Sequence, residues 1–222
     1  MRLRTRLTAL VAATGLTAGL AIAGSPAAGA QETGSTPLAS VLLADGDDFD
    51  NNPYDFDIVT QAVLAVFDEK PGSPVSALTD GDVALTAFIP NDRAFQVLVG
   101  DLTGEWYGFF NFDEAAVFDA VASLGIDTVE TVLLYHVVVG DPISSDVAAN
   151  VPRFTPLTTA QGGEIRVFPI IPFFKWVVLI DNDPDDFDPF LVPSKLDINA
   201  GNNQVAHGIG FVLRPLDVES LL

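Results

Sequence analysis

The spacing of apolar residues changes along this chain, and that change constrains the fold more than any other feature. In the first part they recur at helical period: Ile58, Val59, Ala62, Val63, Val66 and Phe67 mark one face. Ala94, Phe95 and Leu98 mark a second, and Ala116, Val117, Ala120, Val121 and Leu124 a third. Asp55 or Asp57 offers an N-cap oxygen to the first helix and Asn91 to the second, while Asp127 caps a short helix running through Val132. Pro71-Gly72 and Gly125 supply stops. After residue 139 the pattern becomes strand-like. Residues 155–159, 164–168, 175–180 and 204–213 are β-rich runs separated by Gly, Pro and Asp. Two earlier strands are expected at 83–89, closed by Pro90, and at 134–139. Helices clustered first and strands second predict an α+β fold with mostly antiparallel pairing, and exclude the alternation of a doubly wound sheet.

The N-terminus reads as a signal peptide over residues 1–30. Arg2, Arg4 and Arg6 precede an Ala/Leu/Gly/Thr-rich stretch that ends at Ala28-Gly29-Ala30. Cleavage there starts the mature chain at Gln31; retention would leave the stretch as an anchor. The Ala-rich leader suggests a bacterial source. Residues 31–50 read as a flexible, acidic lead-in, with order beginning near Asn51, and residues 51–222 as one domain. The most apolar later stretch, 167–180, is broken by Pro169, Pro172 and Lys175, so no transmembrane segment follows the leader. The whole chain has 30 acidic and 10 basic side chains, a net charge of −20. That charge argues against nucleic acid and anionic membranes as partners. The absence of cysteine excludes disulfides, thiolate metal sites and cysteine nucleophiles.

Little in the sequence announces catalysis. Two histidines, His136 and His207, lack zinc-site spacing, and none of the H-E-x-x-H, G-x-S-x-G, P-loop or G-x-G-x-x-G motifs is present. On a strand, His136 shares a face with the apolar Leu134 and Val138, which reads as a buried ring hydrogen-bonded to backbone; His207 is read the same way. Aspartates cluster at Asp45, Asp47, Asp48, Asp50, Asp55 and Asp57, and again at Asp181, Asp183, Asp185, Asp186 and Asp188. An EF-hand loop counted from Asp181 fails at its sixth position, Asp186, and at its twelfth, Val192. Both clusters therefore read as solvated loops that favour a soluble monomer, with no tight calcium site, no other metal and no cofactor expected. Aromatics gather in two places: Trp106, Tyr107, Phe109, Phe110 and Phe112, and then Phe168, Phe173, Phe174 and Trp176 around Pro-Ile-Ile-Pro. So many aromatics in short segments are hard to bury together, and Trp106, Tyr107, Phe109 and Phe110 are the expected partner-binding residues.

Three stretches, in order, resemble the fasciclin (FAS1) domain family. They are Thr86-Ala87-Phe88-Ile89-Pro90-Asn91-Asp92-Arg93-Ala94-Phe95, then Leu134-Tyr135-His136-Val137, then the run Asn203-Gln204-Val205-Ala206-His207-Gly208-Ile209-Gly210-Phe211-Val212-Leu213-Arg214-Pro215. The helix start at Asp55-Phe56-Asp57-Ile58 also suits the family, and the resemblance spans residues 51–216. Gln204 replaces a usual Gly, and Gly210 a frequent Asp. The resemblance implies a compact antiparallel β-sandwich or wedge with helices packed along one edge. It also implies a secreted or surface-associated adhesion or protein-interaction domain without catalysis, whose partner is an extracellular protein or cell-surface component. The alternative is a binding module for a lipid or small hydrophobic ligand. Tyr135 and His136 match the Tyr-His motif tied to integrin binding in animal members, although their apolar flanks give the pair a structural role here.

Overall fold

In the computed structural model the described residues are 33–44, 46, 48–104 and 113–215, all within one compact unit that begins at Thr33. The expected signal peptide lies outside them. Six α-helices are described: α1 (Leu38–Ala44), α2 (Asp57–Glu69), α3 (Asp92–Thr103), α4 (Glu114–Ala122), α5 (Ile126–Tyr135) and α6 (Ser145–Asn150). Six strands accompany them: β1 (Leu85–Pro90), β2 (Val137–Val139), β3 (Thr155–Thr158), β4 (Glu164–Ile171), β5 (Trp176–Ile180) and β6 (Gln204–Ile209). None of these helices is long and apolar enough to cross a membrane.

The strands form two three-stranded sheets, ordered β2-β1-β6 and β3-β4-β5. The second is antiparallel throughout. In the first, β1 pairs antiparallel with β2 but parallel with β6, from Leu85 opposite Gln204 to Pro90 opposite Ile209. Every residue of β1 and β6 is buried, as befits a sheet covered on both faces. Ala87, Ile89 and Ala206 face the helices, packing with Ile58, Val63, Phe95 and Leu133. Phe88 and Ile209 face the other way, into a second core with Tyr135, Ile165, Val167, Val177 and Leu179. The architecture is thus α+β, with the central sheet between the helices and the antiparallel sheet. Each fully buried Leu, Ile or Phe in these cores contributes roughly 1.5–3 kcal/mol.

Several local expectations are corrected. The strand expected over 134–139 is shorter, because α5 continues through Tyr135 and only Val137–Val139 is extended. Neither Asp55 nor Asp57 caps α2. The N–H groups of Asp57 and Ile58 instead donate to the Asp92 carboxylate, at 3.2 and 2.9 Å, from the start of α3. Asn91 does cap α3, accepting from the Ala94 N–H at 3.0 Å. Residues 33–44 are part of the packed unit rather than a flexible lead-in: Leu38 and Leu42 of α1 are buried, and Gly34 bridges to Asn202. The cause is Gln204. Its fully buried side chain accepts from the Leu38 N–H at 2.7 Å and donates to the carbonyls of Ala77 and Asp80, each at 2.8 Å. The residue that departs from the family pattern is therefore the one that fastens α1. Gly210 has a comparable reason, since a Cβ there would lie 2.5 Å from the Phe190 ring.

Candidate interaction surface

The antiparallel sheet buries one face and exposes aromatic groups at its free end. Ile165, Val167, Val177 and Leu179 point into the second core. Between β4 and β5 the chain carries Pro169 and Pro172, and the ladder shifts register between Pro169 and Ile171. Proline removes ladder donors, so pairing breaks and the tip stands clear of the sheet. Lys175 turns the chain there with a left-handed φ of 53°. On this tip Phe173 is 87% exposed, Phe174 59% and Trp176 52%. Phe173 and Phe174 meet edge to face at 5.0 Å, and Phe174 lies 6.4 Å from Trp176. Phe168, from the same sequence cluster, is half-buried under Phe154 at 5.0 Å, with the Arg153 guanidinium 5.1 Å from its ring.

Beside the tip runs a groove of about 460 Å³ lined only by apolar residues. Ile170, Trp176, Val178 and Phe190 line it, together with the buried Val177 and Leu191. Phe190, bridged to Val178 of β5, adds aromatic surface to the groove from the loop after β5, and it and Phe187 each lie 5.8 Å from Phe211. Sequence reasoning named Phe168, Phe173, Phe174 and Trp176 but missed Phe187 and Phe190. Proline and phenylalanine interrupting the aspartates of residues 181–190 were the available signal.

The other residues singled out from sequence fall elsewhere. Trp106, Tyr107, Phe109 and Phe110 lie outside the described residues. Tyr135 is fully buried and its hydroxyl donates to the Glu164 carbonyl at 2.7 Å; burial pushes its phenol pKa well up. A Cβ on Gly163 would come within 2.9 Å of its ring, so glycine is needed at that contact. His136 sits at the end of α5. Its Nδ1–H donates to the Val132 carbonyl at 2.7 Å and its Nε2 accepts from the Leu213 N–H at 2.9 Å. That pattern fits the neutral ring, and burial lowers its pKa to about 4. His207 is used in the mirrored sense: Nε2–H donates to Ile143 and Nδ1 accepts from the Asp197 N–H. Burial lowers its pKa as well. With both ring nitrogens engaged by backbone, neither histidine offers a base to a substrate.

Ser145 lies beside charged groups. Ser145 Oγ donates to Asp197 and accepts from Lys175 Nζ at 2.8 Å. Ser145 is fully buried, however, and Lys175 is held by Asp146 at 3.0 Å, so the network closes on itself around the start of α6.

No family model matches the chain, and no curated protein sequence matches it. Fifteen solved chains match in structure. One is a FAS1 domain pair from the insect cell adhesion molecule fasciclin I, superposing with a TM-score of 0.50 at 15% sequence identity. The fold is fasciclin-like. The match covers 73% of this chain and 48% of that one, so this chain spans about half the length of the insect pair. At that identity the likeness extends to the fasciclin-like architecture and not to individual side chains.

Proposed function

We propose that this chain is a secreted or surface-associated adhesion module that binds an extracellular protein or cell-surface component without catalysis. The observation that carries the reading is the exposed aromatic tip formed by Phe173, Phe174 and Trp176. Large rigid aromatics in contact with one another supply apolar area at little entropic cost, which is how interface hot spots are built. The fasciclin-like fold and the adhesion role of the insect protein support it. Trp106, Tyr107, Phe109 and Phe110 form a second proposed contact, supported by their density between α3 and α4, which already bury their own apolar faces. Tyr135 and His136 are proposed as structural members of the motif rather than contacts, since both are buried and hydrogen-bonded to backbone.

The test measures adhesion of the full chain to cells or to an immobilised extracellular matrix preparation. Phe173→Ser with Trp176→Ala should change folding stability by no more than about 0.5 kcal/mol while weakening adhesion by more than about 1 kcal/mol. Trp106→Ala with Phe110→Ala should do the same. A variant that loses several kcal/mol of stability places its aromatics in the core and removes them from the proposed surface. Unchanged adhesion in both variants overturns the reading.

The apolar groove favours a second reading, a bound lipid or small hydrophobe, because about 460 Å³ falls within the range of small-molecule pockets. Native mass spectrometry of the purified chain distinguishes the two. A co-purifying hydrophobe that Trp176→Ala releases supports the second.

A further inference from the structure

Four carboxylates meet beside the start of α2. Asp50, Asp55, Asp57 and Glu114 each offer an oxygen, and these oxygens all lie within 4.8 Å of one another. Asp50 is exposed, whereas Asp55 and Asp57 are 8% and 6% exposed and Glu114 is fully buried. Like charges gathered in a low dielectric repel strongly and are retained only with compensation.

Asp92 hydrogen-bonds the Asp55 side chain, and the backbone donors described beside the cluster are committed. The Asp57 and Ile58 N–H groups donate to Asp92. The Asn51 N–H donates to Glu114 Oε2 at 2.9 Å, and α4 is capped by Asp113 rather than by Glu114. Two oxygens, Asp55 Oδ1 and Glu114 Oε1, are buried with no hydrogen-bond partner. Among the described residues no ion pair reaches Asp55 or Glu114. An unpartnered buried carboxylate oxygen costs free energy, so two of them on residues of one cluster call for a ligand that accepts oxygen lone pairs.

We propose that Asp50, Asp55, Asp57 and Glu114 bind one calcium ion that ties the loop before α2 to the start of α4. Calcium takes six to eight oxygens at about 2.3–2.6 Å, so opposite ligands stand roughly 5 Å apart, and the observed spacing fits that shell. Magnesium keeps several of its own waters and is held by only one or two carboxylates, which fits a cage of four carboxylates less well. Asp50 marks the solvent side, where the ion enters and waters complete the coordination. Asp92 is a positioning residue, since its two oxygens hold the Asp57 and Ile58 N–H groups and so set the start of α2. The ligands come from two segments more than fifty residues apart, which is why no EF-hand spacing appears.

The experiment titrates calcium chloride into the chelator-treated full chain by calorimetry and follows the melting temperature in parallel. One saturable ion per chain is expected, with a Kd between about 10 μM and 1 mM, and a melting temperature that rises with calcium. Asp55→Asn and Glu114→Gln should each weaken binding by about tenfold or more, whereas Asp185→Asn in the other acidic loop should change it by less than about twofold. Asp50→Asn, at an exposed position, keeps the test open if a buried variant fails to fold, and should weaken binding by about threefold or more. Absence of saturable binding up to about 10 mM calcium overturns the site. Magnesium binding as tight as calcium overturns the ion assignment, and full affinity in the Asp55→Asn, Glu114→Gln double variant overturns the ligand set.

Discussion

Two regions of this domain are rich in aspartate, and they solve the problem of burying charge differently. In residues 181–188 the carboxylates gather on Arg214, itself almost fully buried. Arg214 Nη2 lies 2.6 Å from Asp101 at the end of α3, Nη1 3.6 Å from Asp183, and Nε 2.7 Å from Asp186, the last as an ion pair rather than an aligned hydrogen bond. Its backbone N–H donates to Asp181 at 2.8 Å. Asp183 is buried here, so this segment is not the solvated loop expected from composition. Around Asp55 and Glu114 carboxylates are also buried, but among the described residues no ion pair reaches either of them. One cluster carries its counter-charge in the chain, and the proposed calcium would bring the other's from outside. Composition alone makes the two loops look alike; the partner from a distant segment decides what each becomes.

Removing the internal counter-charge is the strongest way to break this comparison. Arg214→Met keeps much of the stem's volume but leaves Asp183 and Asp186 buried beside Asp101 without a cation. Loss of one partner from a buried ion pair costs roughly 3–5 kcal/mol, and urea unfolding should show a loss on that scale. A loss below about 1 kcal/mol would mean that the cluster is effectively solvated and that the pairing is no stronger than a surface bridge.

How much of this was legible beforehand follows from range. The apolar faces of α2, α3 and α4 were visible because helical period is local, and Asn91 was visible as a cap because its acceptor role spans three residues. The strands at 155–180 were visible by their turn chemistry. The parallel pairing of β1 with β6 was not, since nothing near Thr86 reports that Val205 lies beside it. Gln204 read only as a departure from a glycine, because its four-way hydrogen bonding depends on α1 and on carbonyls from residues 77–83. The surface legible in Phe173, Phe174 and Trp176 was incomplete because Phe190 reaches it from a separate loop. Glu114 carried no local signal at all. Its significance arises from Asn51 and Asp55, some sixty residues away in sequence and adjacent in space.

A smaller effect comes from acidity in the arginine-centred cluster. Burial, reinforced by Asp188 and Asp183, raises Asp181 to about 7, against an unfolded value near 3.9. Between those values the folded chain holds a proton that the unfolded chain has released. Stability from this group is therefore fully present below about pH 4 and is lost as pH rises through about 7. His136 acts oppositely: lowered to about 4, it contributes stability above about pH 6.5 that is lost as pH falls through about 4. Comparing Asp181→Asn with the parent isolates the first group. From pH 5 to pH 8 the parent should lose on the order of 2 kcal/mol relative to the variant. Parallel pH profiles would show that Asp181 titrates normally in the folded chain.

The smallest expected effect separates the clusters by sign. Neutralising one carboxylate in each, with calcium chelated, should move stability in opposite directions. Asp183→Asn weakens an attraction to Arg214, but Asp101 and Asp186 remain, so a loss of about 1 kcal/mol is expected. Glu114→Gln removes a buried negative charge that, among the described residues, has no ion-pair partner and is repelled by Asp55, Asp57 and Asp50; burial already raises its pKa. The glutamine carbonyl can still accept from the Asn51 N–H, and its amide brings a donor toward the neighbouring carboxylates. Calcium-free Glu114→Gln should therefore be as stable as the parent or more stable by up to about 1 kcal/mol. Adding calcium should reverse the order, because the parent binds the ion about tenfold or more tightly and gains the larger linkage stabilisation. If Glu114→Gln destabilises the chelated chain as Asp183→Asn does, Glu114 is compensated within the protein and the contrast between the two clusters fails.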